Sequence, residues 1–195
     1  MVLSREEFDA IEFDAACSGD HQAAARRMSK LAVTGTQTDS MPRSEAFLRA
    51  GEQWMLADDP AAAASGFRLA MADGGPVFVD PRVPLARALF LLGKPAEAQS
   101  LLEELKAEGR RDPRMCDLVA ELLVERSDLT GALDWATAGV ELFLEREGSG
   151  TPAPGQAGPG GDADAELRLL LSLRYRVRND LGLPEDRYDE LLDDA

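Results

Sequence analysis

PRVPLARALFLLGKPAEAQSLLEELK (residues 81–106) and MCDLVAELLVERSDLTGALDWATAGV (115–140) carry one pattern twice, 34 residues apart. Leu85 and Ala86 recur as Val119 and Ala120, Leu89 as Leu123, and Ala98 as Ala132. A breaker, Gly93-Lys94-Pro95 in the first stretch and Ser127-Asp128 in the second, divides each into two helical halves. Thirty-four residues is the length of one helix–turn–helix unit in a stacked array. Such a unit cannot bury its apolar face alone, so it stacks on its neighbours and leaves an extended surface for binding.

The same reading extends in both directions. Helices are expected over 4–17 and 21–33, with Ser4 and Glu7 forming a capping box and Phe8, Ile11 and Ala15 on one face. Residues 34–42 are a polar loop. A second pair spans 43–57 and 60–73, its second helix opened by Asp59-Pro60 and closed by Gly74-Gly75-Pro76. The third pair is 81–92 and 95–108, the fourth 113–126 and 129–146. Nine of the fifteen residues from 148 to 162 are Gly or Pro, the composition of a flexible linker. A leucine-rich helix follows over 163–181, then a short acidic helix over 184–193. The expected organisation is a helical array over 1–147, a linker over 148–162, and a capping helix with its acidic extension over 163–195.

The third and fourth pairs resemble tetratricopeptide (TPR) repeats. That family alternates large and small residues at fixed places, here Leu85, Ala86, Leu89, Ala98, Leu102 and Leu105, then Val119, Ala120, Leu123, Ala132, Ala136 and Gly139. The second pair supplies Ala50, Gly51, Trp54, Ala63, Phe67 and Ala70, 35 residues ahead of the third. The first pair matches at Gly19, Ala24, Met28 and Leu31, but Glu12 stands where a small residue is expected. The resemblance implies an all-α fold: a short TPR-like helical-hairpin array, an α-α superhelix, with a C-terminal capping helix.

It also implies that the first helices of the pairs line a concave groove. The groove positions are Glu45, Leu48, Glu52 and Met55 in the second pair and Asp80, Val83, Arg87 and Phe90 in the third. The fourth pair adds Asp117, Glu121 and Val124. The lining is acidic with apolar spots, which suits a basic protein or peptide segment bearing one or two apolar anchors.

Composition sets the other limits. A hydrophobic share of 45% supports a sizeable core, and the scarcity of Val and Ile beside Ala and Leu argues for helices over sheets. A net charge of −15 excludes binding to nucleic acid by bulk electrostatics and repels an anionic membrane. No stretch is apolar over the ~18 residues of a membrane span, and the first residues show no signal-peptide pattern. The expected compartment is a cytoplasm, and Arg in place of Lys hints at a bacterial source. Cys17 and Cys116 have neither disulfide-framework nor zinc spacing, so no metal and no cofactor are expected. The lone histidine, His21, belongs to no nucleophile motif, and no phosphate-binding loop is present. No enzyme activity is expected.

Arg168, Arg174, Arg176 and Arg178 make the capping helix locally basic, which favours pairing with the acidic array. The linker also permits exchange of this helix between two copies, a route to a homodimer. The function expected is a non-enzymatic protein–protein interaction adaptor or scaffold. The alternative is an accessory or sensor subunit that takes a small ligand or assists a pathway enzyme.

Overall fold

Short side chains start four of these helices. Ser4, Asp20, Asp59 and Asp112 each accept a hydrogen bond from a backbone N–H two or three residues on (2.9–3.2 Å). Each satisfies a donor that the first turn leaves unpaired. In the computed structural model, which describes residues 2–109, 112–149 and 161–194, the helices are α1 (Arg5–Ser18), α2 (His21–Thr34), α3 (Arg43–Leu56), α4 (Pro60–Asp73), α5 (Arg82–Leu91), α6 (Pro95–Ala107), α7 (Pro113–Glu125), α8 (Leu129–Ser149), α9 (Gly161–Asp180) and α10 (Leu191–Asp194). The fold is all-α, a TPR-type array of helical hairpins. Among the described residues the only extended pairing is two isolated bridges, Val2 with Thr36 and Thr38 with Met41. Both lie where the 34–42 loop ties down the N-terminus.

The chain folds as two compact units, Met1–Leu105 and Lys106–Ala195. The first holds the first three helical pairs up to Leu105. The second holds the fourth pair together with α9 and α10, which pack on it. Most of the linker expected over 148–162 falls on residues 150–160, outside the described residues.

The turn between the two helices of a pair repeats in backbone detail. Gly19, Asp58, Gly93 and Ser127 all sit at positive φ, between 58° and 77°. At the last three, two hydrogen bonds close the helix end in the same way. Asp58 N–H donates to Met55 O, Gly93 to Phe90 O and Ser127 to Val124 O, at 2.9–3.1 Å. One residue on, Asp59 donates to Trp54 O, Lys94 to Leu89 O and Asp128 to Leu123 O, at 2.9–3.0 Å. This is the Schellman closure, which needs a left-handed residue at its centre.

Small residues then set the helix spacing. Ala86, Ala98, Ala120 and Ala132 are fully buried. Gly51 of α3 faces Gly66 and Phe67 of α4. A Cβ on Gly51 would come within 2.5 Å of the Phe67 ring, and one on Gly66 within 3.2 Å of the Gly51 Cα. Two helices meet there almost backbone to backbone, an approach that only a missing side chain allows.

Glu12, which breaks the small-residue pattern, has its own partner. Its carboxylate accepts from the Arg49 Nε at 2.8 Å and Nη2 at 2.5 Å, and Asp9 accepts from the same Nη2 at 2.5 Å. Arg49 is itself buried and lies over the Phe8 ring at 5.7 Å. An ion pair thus joins α1 to α3 where the other pairs use a small-residue contact. Of the two tryptophans, Trp135 is buried. Trp54 is half-buried and donates from Nε1 to Ser29 Oγ at 3.1 Å.

α9 ends as the first helices do, with Gly182 at φ 67° and the same pair of closing bonds, to Asn179 O and Arg178 O. It packs on both α7 and α8, in the manner of the first helix of a fifth pair. Among the described residues only the four-residue α10 follows it. The acidic helix expected over 184–193 is replaced by an open stretch and a turn, with only Leu191–Asp194 helical. The cause is local. The Asp189 carboxylate accepts from the Asp186 N–H at 2.8 Å and the Asp186 carboxylate from the Tyr188 N–H at 3.0 Å, which diverts the backbone from a helix.

Arg174 and Arg178 form their ion pairs with this turn, and Arg174 Nε also donates to Thr137 Oγ1 of α8 at 3.1 Å. Arg174 Nη1 donates to Asp186 Oδ1 and Asp189 Oδ1, both at 3.0 Å, and Arg178 Nε donates to Asp189 Oδ2 at 3.1 Å. The Arg174 hydrogen bond outweighs the opposing effect of burial and holds the Asp186 carboxyl below its ordinary range. A lowered value means the network stabilises above the ordinary carboxylate range and is lost as pH falls through the folded-state value.

The turn geometry predicts opposite effects of two substitutions. Nothing lies within 4 Å of a Cβ added at Gly93, so Gly93→Ala tests the backbone alone and should destabilise by about 1 kcal/mol. Ser127→Gly should stabilise by up to about 1 kcal/mol. Urea unfolding of both variants beside wild type measures the difference.

Candidate partner-binding face

The eleven positions expected to line a groove divide by burial. On α3, Glu45 and Leu48 lie inside the first unit. The Glu45 carboxylate accepts from the Phe78 N–H at 2.9 Å, and Ser44 Oγ donates to Pro76 O at 2.8 Å. The connection after α4 is thereby tied to the start of α3 and covers Glu45. Glu52 is exposed, Met55 half-buried, and the neighbouring Leu56 60% exposed.

Asp80 precedes α5 and pairs with Arg82 at 2.7 Å. Val83 is buried, whereas Arg87 and Phe90 are half-buried beside an exposed Leu91. On α3 and α5 the accessible part of this face is therefore the C-terminal half of each helix. It is apolar, with one acid and one base among the residues named.

The second unit is different. Asp117 and Val124 of α7 are half-buried and Glu121 is exposed. Asp117 is pushed up from 3.8 to about 6, first by burial, then by the charges of Glu121 and Glu166, against the opposing pull of Arg114. Glu166 belongs to α9 and is raised too, by burial and by Asp112, with Arg114 and Arg146 opposing. Arg146 Nη1 lies 3.7 Å from Asp112 Oδ1. α7 and α9 thus press carboxylates together on one face. The repeat pattern marks Asp117 and Glu121. It does not reach Glu166, which sits on N-terminal turns of α9 that the internal pairs lack.

Elsewhere, His21 Nδ1 pairs with Gln53 Oε1 at 3.0 Å. Cys17 is exposed and Cys116 buried, both free thiols. Among the described residues no group of three His, Cys, Asp or Glu is placed to hold a metal, and no helix is long and apolar enough to cross a membrane. One feature without a motif is an open, largely apolar depression of about 440 Å³ between α4, α5 and α6. Met71, Leu85, Leu89 and Leu101 line it, with Arg68 and Glu97 3.5 Å apart beside them.

No family model matches the sequence, and no curated protein matches it. Similarity appears at the level of fold. The crystal structure of BtubC (BKLC) from P. vanneervenii aligns over 91% of this chain and 72% of its own, with a TM-score of 0.60 and 14% identity. The Cut9-Hcn1 hetero-tetramer of the APC/C aligns over 85% of this chain, with a TM-score of 0.48 and 18% identity. This chain spans 30% of the length of the latter. The likeness to BtubC at 14% identity concerns architecture alone.

The raised Asp117 has a measurable consequence. Its ionised form is worse accommodated folded than unfolded, so the chain loses stability as pH rises from 3.8 to about 6 and keeps that cost above it. Asp117→Asn should raise the melting temperature at pH 8. The advantage should shrink through pH 6 and vanish below pH 4, as thermal unfolding at several pH values will show.

Proposed function

We propose that the chain is a non-enzymatic TPR-type interaction scaffold, and that the first-helix faces receive a basic partner segment with apolar anchors. The crowding of Asp117 against Glu121 and Glu166 supports this reading most strongly. Ionising Asp117 there lowers stability, and an approaching cation would relieve that cost. In the first unit, Met55, Leu56, Phe90 and Leu91 offer accessible apolar area of the kind that anchors a peptide. The net charge of −15 steers basic partners toward either face. The role asks for shape and charge complementarity and no bond chemistry, and it is consistent with a regulatory adaptor in a bacterial cytoplasm.

The depression beside Met71 and Leu101 favours the second reading, an accessory or sensor subunit that takes a small apolar ligand. Saturable binding of an apolar dye, lost in Leu101→Glu, is the signature of that role.

For the scaffold, a labelled Lys/Arg-rich peptide carrying two leucines should bind and be displaced by salt. Its affinity should rise as pH rises through about 6, because a cation prefers Asp117 ionised. Asp117→Asn should flatten that dependence. Glu121→Lys in the second unit and Glu52→Lys in the first should each weaken binding, by roughly tenfold where the peptide uses that face. Equal binding of an acidic peptide, or indifference to both reversals, would contradict the scaffold reading.

A further inference from the structure

The third and fourth pairs place large apolar residues eight and four positions before the turn residue. These are Leu85 and Leu89 before Gly93, and Val119 and Leu123 before Ser127, all buried. The same two places before Gly182 are Arg174 and Arg178. In a normal pair those positions hold the second helix through apolar contact. Here two guanidinium groups meet the segment that stands in for it. That segment is read group by group. Asp186 and Asp189 accept from both arginines, and Arg178 also donates to Pro184 O.

Tyr188 lies between Arg174 and Arg187, 4.7 and 4.5 Å from ring centre to guanidinium carbon, and its hydroxyl donates to Glu141 Oε1 at 2.7 Å. Leu191 and Leu192 close over Val140, Leu170 and Leu171. Nearly every side chain from 186 to 192 has a defined partner, yet the backbone contributes only turn hydrogen bonds.

We propose that this end of the second unit is a receptor for acidic segments of the form Asp-x-Tyr-Asp-x-Leu-Leu. Residues 184–194 occupy it as a built-in competitor. The occupant it fits in trans is a partner segment of that chemistry. Three observations lead there. Two cations replace an apolar pair in a chain of net charge −15, and so select an acidic occupant. The seated segment shows which spacing the arginines, the ring slot and the leucine patch accept. Its hold rests on ion pairs and a few side chains, the scale of a short peptide ligand. A tethered occupant acts at an effective concentration near millimolar, so a partner gains entry when the tether's own contacts weaken. The site is separate from the acidic face of α7 and stands whether or not that face binds a basic partner.

The test is a labelled peptide of residues 183–195 titrated against the full chain. Binding to wild type should be weak. The Asp186→Asn, Asp189→Asn chain, with its own segment loosened, should bind the wild-type peptide at least tenfold tighter. Adding Arg178→Gln should abolish that gain, and a scrambled peptide of equal charge should not compete. Equal binding by the loosened chain, or equal competition by the scrambled peptide, overturns the proposal. Dimers by light scattering that disappear with Arg178→Gln would make a second copy the occupant and overturn it as stated. A fold-independent arm uses amide exchange of the wild-type chain. The N–H groups of Asp189, Leu191 and Leu192 should exchange well before those of α7 and α8. Exchange only with global unfolding would show that the segment does not open, and would sink the idea.

Discussion

Everything in this molecule depends on how closely two helices of a pair can approach. Where Gly51 faces Gly66 the backbones pack at a distance that larger side chains forbid, and Ala98 and Ala132 sit fully buried at the matching small-residue positions. The short turn with its left-handed residue then has one way to return the chain. The Schellman closure repeats at Asp58, Gly93 and Ser127 because the geometry on either side repeats. Stacking of successive pairs follows, since each pair presents one apolar side it cannot bury by itself.

The interior was the legible part of the sequence. Small residues at fixed places, breakers between helices, and Asp or Ser before a first turn are local signals, and they placed the helices within a few residues of where they lie. The binding face was harder to read, because repeat register says which way a side chain points but not what covers it. Glu45, expected in the groove, is buried, and its carboxylate accepts from the Phe78 N–H of the following loop. Leu48 and Val83, expected to line the groove, are buried. The acidic run 184–193 has helical spacing, yet Asp186 and Asp189 bond to nearby backbone and hold a turn. Glu166 meets α7 through a tertiary contact that no local pattern announces. Glu12 is the reverse case. Its misfit to the repeat was visible, and its reason, Arg49, lay 37 residues away.

Charge is distributed with a logic that packing alone does not require. The second unit concentrates carboxylates on α7 and α9, where burial makes them costly, and sets Arg174 and Arg178 to the opposite task of holding an acidic segment. The one arrangement offers a face to cations, the other a face to anions. Each keeps polar groups in places that leucine would stabilise more simply, and such departures from a stable core are where function is expected.

Unfolding of Ala98→Leu is the most direct measurement of the central claim. Ala98 is fully buried at a small-residue position of the third pair, whereas Ala96 on the same helix is exposed. If close helix approach governs the fold, Ala98→Leu destabilises by roughly 1–3 kcal/mol through overpacking while Ala96→Leu leaves stability unchanged. Equal stability of the two variants would contradict the account.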